Sequence, residues 1–198
     1  KADSAPFWAS LPFSPTGAQK RAIDQALGDI SSGAVMNRLV QGDVGSGKTL
    51  VAAALMWQCA ENGYMSAFMA PTEILAEQHY STLTSMLTPL GVRIGRLTGA
   101  MSAKEKRETK AKLKAGEYDI VVGTHALFSQ DVEYSNLALV VTDEQHRFGV
   151  GQRSALIGKG QKPHVLVMSA TPIPRTLALI IYGDLDVSVI DELPPGRQ

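Results

Sequence analysis

Gly42-Asp43-Val44-Gly45-Ser46-Gly47-Lys48-Thr49 fits the pattern G-x-x-x-x-G-K-[ST]. Gly42, Gly45 and Gly47 allow a turn tight enough for successive backbone N–H groups to converge on one anion. A helix starting at Gly47 adds the positive end of its dipole. A lysine and a hydroxyl at the far end of such a loop suit a nucleoside triphosphate: Lys48 for the β- and γ-phosphates, Thr49 for Mg²⁺. Asp43, Val44 and Ser46 supply the rest of the cradle's backbone. A glycine-rich turn that fits by accident is the alternative, and the expected strand before and helix after count against it.

A second group lies downstream. The apolar run Leu137 to Thr142 passes directly into Asp143-Glu144. A buried strand ending in two carboxylates delivers them to the C-terminal edge of a sheet, where a phosphate loop also opens. Asp143 is the candidate Mg²⁺ partner, and Glu144 the candidate base that orients and activates water. Two solvated acids at a strand end are the alternative. No Asn-Lys-x-Asp guanine-reading motif follows, which favours ATP over GTP. His79, His125, His146 and His164 lack ligand spacing and cysteine partners, so no zinc site is expected.

These groups need a scaffold, and the pattern predicts one of alternating strands and helices. Thr16 to Gln19 has capping-box spacing, and Ile23, Ala26, Leu27 and Ile30 make one apolar helical face that Ser31-Ser32-Gly33 ends. Strands are expected over 35–41, 64–70, 92–98, 119–122, 137–142, 164–168 and 187–190, with further helices over 47–62, 72–87, 102–115 and near 174–182. Ser102 and Glu105 form another capping box, and Gly63 and Gly116 sit where helices end. Strands apolar throughout, rather than alternating, predict an α/β fold: a parallel sheet with helices on both faces. Pro6, Pro12 and Pro15 make 1–15 an extended lead-in, and Leu193-Pro194-Pro195-Gly196 reads as a linker.

A chain of 198 residues, 44% hydrophobic and 19% charged, is long enough for one full core and is not of disordered composition. Nineteen basic residues balance nineteen acidic ones, which excludes a wholly basic protein but not a local patch. Arg93 to Lys114 is such a patch, with eight basic residues against two acidic; it is able to steer a polyanion, although a charged helix facing water accounts for most of its lysines. The single cysteine, Cys59, excludes an intrachain disulfide and suits a reducing compartment. The apolar run Val51 to Trp57 falls far short of the ~18 residues of a membrane span, and no signal-peptide pattern is present. A chain that opens on Lys1 rather than Met reads as a piece of something longer.

Asp143-Glu144-Gln145-His146 is a DExH box, and with the loop at Gly42 to Thr49 and Ser169-Ala170-Thr171 it resembles superfamily-2 helicases. Ala70-Pro71-Thr72-Glu73-Ile74-Leu75-Ala76-Glu77-Gln78-His79, Asp143 to Val150 and Ser169 to Thr176 bring the resemblance closer, to the RecG-type bacterial ATP-dependent branched-DNA helicases. Leu11 to Gln19 and Val189 to Arg197 resemble the flanking segments of that family. The transcription-repair coupling translocases share Pro172-Ile173-Pro174-Arg175-Thr176 but fit less well at Gln145. Thr142 stands where family members usually carry an aliphatic residue.

The resemblance implies a RecA-like P-loop domain over 16–192, the first motor lobe, with residues 193–198 leading to a second RecA-like lobe that has no counterpart here. Nor does the family's fork-splitting wedge domain. It implies ATP and Mg²⁺ as cofactors, branched or duplex DNA as partner, and a bacterial cytoplasmic location. It adds His146 to the catalytic set of Lys48, Asp143 and Glu144, and places Phe13 and Gln19 at the adenine. An amide suits that position because it offers a donor and an acceptor together, whereas Gln19 taken alone is an ordinary capping-box residue. Pro71 and Thr72, Thr98 and Gly99, and Thr124 and His125 lie in equivalent strand-to-helix turns and match the family's backbone-contact motifs for DNA; taken alone each is a capped helix start. Arg147, Phe148 and Arg153 match the stretch that touches DNA and reports to the ATP site, and the hydroxyls of Ser169 and Thr171 match a bridge between the two sides. Similar helicases bring an arginine finger from the second lobe, so this chain alone is expected to bind nucleotide weakly and hydrolyse it hardly at all. A motor for transcription-coupled repair, and a P-loop ATPase module that does not act on nucleic acid, remain the alternatives.

Overall fold

The computed structural model describes residues 17–31, 37–42, 47–143, 163–169 and 186–190. Its elements are α1 (Gly17–Ser31), β1 (Asn37–Gly42), α2 (Lys48–Glu61), β2 (Met65–Met69), α3 (Glu73–Leu87), β3 (Ile94–Leu97), α4 (Ala103–Ala115), β4 (Ile120–Gly123), β5 (Leu137–Asp143), β6 (His164–Ser169) and β7 (Asp186–Ile190), with short 3₁₀ turns at Thr88–Leu90 and His125–Phe128. Seven strands form one sheet in the order β3-β4-β2-β5-β6-β1-β7, and every described pairing is parallel. The expected α/β architecture is therefore present. β2 and β4 are buried along their whole length, which is why Met65–Met69 and Ile120–Gly123 read as mostly apolar rather than alternating.

Alternation along the strands divides the core into two layers. Phe68, Ile120, Val122, Leu139, Val141, Leu166 and Met168 face α1, α2 and α3. Met65, Ala67, Met69, Val121 and Val140 face Leu113 of α4 and the turn that carries Leu127 and Phe128. α2 is buried at ten successive positions, Leu50 to Cys59, because the sheet covers one side and α1 and α3 cover the other. A helix so placed must be apolar all round, and its alanines at 52–54 let its neighbours approach.

Local signals set the boundaries. Ser102 Oγ accepts from the Glu105 N–H at 3.1 Å, while the Ser102 N–H points back at Glu105 Oε1 at 3.5 Å; this is the expected capping box, worth about 1 kcal/mol. Thr72 caps α3 by accepting from the Leu75 N–H at 3.2 Å. The strand expected from residue 35 is described from Asn37 and extends to Gly42. The segment after Gly123, expected as a strand-to-helix turn, makes the short 3₁₀ turn His125–Phe128, held by the buried Tyr134 hydroxyl donating to the Leu127 carbonyl at 2.7 Å. The helix expected near 174–182 lies outside the described residues. Among the described residues no helix is long and apolar enough to cross a membrane.

Candidate active site

The register of the sheet brings the chemical groups into one row. Asp143 of β5 pairs with Met168 of β6, Ser169 of β6 with Gln41 of β1, and Gly42 of β1 with Ile190 of β7. On the other side Thr142 pairs with Met69 of β2, Met69 with Gly123 of β4, and Gly123 with Leu97 of β3. All these positions are at the C-terminal ends of parallel strands, the edge where ligands of such sheets bind. The strand order sorts the groups further. The ends of β5, β6 and β1 carry the phosphate-side residues. The ends of β2, β4 and β3 lead into Pro71-Thr72, Thr124-His125 and Thr98-Gly99.

On the phosphate side, Gly47 has φ 87° and ψ 30°, the left-handed region, and stands as N-cap of α2 without a side-chain cap. A Cβ at Gly47 would collide with the Gln19 amide nitrogen, so glycine is required twice over: by the backbone angle and by its neighbour. Gln19 is fully buried. Its amide lies against Gly47 of the phosphate loop. The Lys48 ammonium donates to the Gly42 carbonyl at 2.7 Å, bridging the two ends of the loop. Asp143 ends β5 on the same sheet face as α2, since Leu139 and Val141 of the same parity pack in that layer. β1 and β5 flank β6, so their ends are two strand spacings apart, about 10 Å.

Asp143 has a partner that the sequence reading missed. His79 Nε2 lies 2.8 Å from Asp143 Oδ2. His79 sits on α3 and stacks its ring on Phe68 with centroids 4.5 Å apart. The available clue was position: His79 falls seven residues after the helix cap Thr72, two turns down the same face.

On the other side, Glu73 lies so close to Gly99 that a Cβ there would sit 2.6 Å from Glu73 Oε1, which brings the turns after β2 and β3 together. Thr98 and Thr124 are buried, so their contribution to any surface contact is through the backbone, whereas Thr72 and His125 are exposed. The Thr72 hydroxyl already accepts the Leu75 N–H, and Glu73 already places a carboxylate at the start of α3. The helix start is thus capped and carries its own anion, and the opening for a phosphate there is narrower than the sequence suggested.

The basic segment is largely neutralised. Lys110 pairs with Asp131 at 2.5 Å, Lys114 with Glu133 at 3.4 Å, Arg96 with Glu77 at 2.7 Å and Arg93 with Asp119 at 3.0 Å. These four acids lie outside Arg93–Lys114 and cut its surplus of positive charge from six to two. Glu105, inside the segment, serves the capping box, and the four ion pairs all reach outside it. Among the described residues no three His, Cys, Asp or Glu side chains cluster to hold a metal. Phe13, Asp43, Val44, Gly45, Ser46, Glu144, His146, Arg147, Phe148, Arg153 and Thr171 lie outside the described residues, and Ser169 is described only as the last residue of β6.

Comparison with known proteins places this edge in context. The family model of the DEAD/DEAH box helicases matches residues 16–180. The chain belongs to the DEAD/DEAH box helicase family. Membership of a helicase family implies the use of ATP. The chain is 55% identical over 195 residues to the ATP-dependent DNA helicase RecG of Haemophilus influenzae, covering 96% of this chain and 28% of that protein. It is 54% identical to RecG of Bacillus subtilis, covering 97% of this chain and 28% of that one. A solved structure of RecG bound to a three-way DNA junction superposes with a TM-score of 0.87 at 48% identity, over 98% of this chain and 26% of the other. The fold of this helicase-family chain is accordingly RecA-like, and the chain spans about a quarter of the length of the relatives it matches.

Proposed function

We propose that this chain is the ATP-binding motor lobe of a DNA helicase that uses ATP hydrolysis to move on duplex DNA and remodel branched DNA, such as stalled forks and Holliday junctions. The observation that carries the reading is the row of strand ends: a phosphate loop and an acidic strand end on one half, and backbone-contact turns on the other, in a chain similar to RecG over nearly its whole length. Residues 16–192 form the lobe, after a lead-in over 1–15, and 193–198 lead toward a second lobe and a wedge domain elsewhere in the full protein. The setting is the bacterial cytoplasm.

Gly42, Asp43, Val44, Gly45, Ser46 and Gly47 wrap the phosphates with backbone N–H groups. Lys48 leaves the Gly42 carbonyl for the β- and γ-phosphates, exchanging one oxygen acceptor for a charged one. Thr49 and Asp143 hold Mg²⁺. An ion of this kind takes few protein ligands beside phosphate and water, which suits one hydroxyl and one carboxylate and needs no cluster of three acids. When bound, such an ion would supply positive charge against the negative charge that develops on the phosphates. Glu144 orients the attacking water and takes its proton, with His146 beside it. Gln19 and Phe13 hold the adenine.

Pro71, Thr72, Thr98, Gly99, Thr124 and His125 contact DNA phosphates, mainly through the backbone. Arg147, Phe148, Arg153, Ser169 and Thr171 relay DNA contact to Glu144 and His146. The arginine finger comes from the second lobe and supplies about 10³–10⁵ in rate, so the 198-residue chain alone turns over ATP hardly at all. The test is ATP turnover by the intact protein titrated with forked DNA, linear duplex and no DNA. Stimulation by forked DNA above linear duplex is expected. Turnover indifferent to every DNA would leave a nucleotide-driven module with no nucleic-acid task.

A further inference from the structure

The row of strand ends divides between β2 and β5, and one side-chain contact crosses that division. We infer that His79 is the positioning residue of Asp143, fixing the orientation of the carboxylate that faces Mg²⁺ and tying it to α3. The inference rests on the reading of Asp143 as the metal-side acid.

An ionised carboxylate only accepts, so at 2.8 Å the imidazole Nε2 must carry the proton and donate to Asp143 Oδ2. Charge-assisted hydrogen bonds of this length are the strong ones. Both side chains are mostly covered, 16% and 14% exposed, so water does not readily replace either partner. The ring of His79 is itself held: it packs on Phe68 with an interplanar angle of 42°, and Phe68 is fully buried in the core layer between sheet and helices. A rigid core side chain therefore holds the histidine, and the histidine holds one oxygen of the acid. The other oxygen, Oδ1, has no protein partner among the described residues. That division of labour suits a carboxylate that gives one oxygen to the protein and the other to a metal or its water. Carboxylates that bind metals are commonly oriented by such outer partners, whose loss weakens the metal about 10- to 100-fold.

The placement also gives α3 contacts on both halves of the edge. Its first turn lies against Gly99 through Glu73, and His79 reaches Asp143 six residues later, about 9 Å along the axis. The His79–Asp143 hydrogen bond joins the helix after β2 directly to the end of β5.

The test uses the intact protein and a fluorescent N-methylanthraniloyl-ATP. The measured quantity is the Mg²⁺-dependent gain in nucleotide affinity: the ratio of Kd in EDTA to Kd in excess MgCl₂. Phenylalanine keeps the ring that packs on Phe68 and removes the donor. Glutamine can place an amide N–H near the Nε2 position. His79→Phe and His79→Ala should lower the gain about tenfold or more, with affinity in EDTA unchanged, while His79→Gln should restore it to within about threefold of the parent. Thermal unfolding shows which variants are folded, and His79→Phe remains the deciding variant if the alanine variant is not. A folded His79→Phe with the parent's gain would overturn the inference and leave His79 as a packing residue. A glutamine variant as impaired as phenylalanine would also overturn it. No gain from MgCl₂ in the parent would instead refute the reading of the metal site itself.

Discussion

Replacing Gly47 with alanine separates two reasons for one glycine. The left-handed angle, φ 87°, strains any residue with a Cβ by about 1–2 kcal/mol. The new methyl also claims the space of the Gln19 amide nitrogen. Gln19 is fully buried, so it cannot step aside without leaving its buried place, at a further cost of about 1–3 kcal/mol for a displaced polar group. Gly47→Ala should therefore destabilise the protein by about 2–5 kcal/mol in urea unfolding. In a Gln19→Ala background only the backbone strain remains, and the same substitution should cost about 1–2 kcal/mol. The difference is the coupling between the capping-box helix and the phosphate loop. Equal costs in the two backgrounds, within about 0.5 kcal/mol, would show that the amide does not pack on the loop and would refute the reasoning.

The buried Thr142 hydroxyl finds no hydrogen-bond partner among the described residues, so Thr142→Val should stabilise the protein by about 1–2 kcal/mol in urea; a loss of stability would contradict that accounting. Burial pushes the Cys59 thiol from 9.0 up to about 11. The folded state holds this proton more tightly, so the associated stability is complete below pH 9 and is lost as pH rises through 11, on the order of 3 kcal/mol in all. Urea midpoints measured from pH 8 to 11 should fall more steeply for the parent than for Cys59→Ala, and parallel curves would disprove it. Glu144→Gln should keep ATP bound and lose hydrolysis in the intact protein, measured by calorimetry beside a turnover assay; turnover at the parent rate would remove Glu144 as the base.

What the sequence revealed and what it hid follow from the range of the interactions. The Ser102–Glu105 box, the glycine after α4 and the apolar strands are local patterns, and each is where the spacing put it. The α/β parallel sheet followed from the alternation of those strands with helices, and its RecA-like character from the family resemblance of the ordered motifs. The strand order did not, because it is decided by which crossovers pack, and no window of sequence holds that information. The same holds for the site. Lys48 and Asp143 were legible because the loop pattern and the acidic strand end are contiguous. His79 was not, because its partner is 64 residues away. The partners of the positive segment were hidden for the same reason: the acids that neutralise Lys110 and Lys114 come from the stretch between β4 and β5. Gln19 was read at its own helix start, while its amide lies on Gly47, across a tertiary contact.

The central claim is that the loop ending in Lys48 binds the nucleotide whose hydrolysis DNA stimulates. Its most direct test is ATP turnover by the intact protein on forked DNA, compared with Lys48→Ala at equal folded concentration. The Lys48 ammonium now bridges the loop to the Gly42 carbonyl, a hydrogen bond of ordinary strength, so folding of the variant is checked beside turnover. The account predicts DNA-stimulated turnover in the parent and none above background in the variant. Parent-like turnover in a folded Lys48→Ala protein would contradict it.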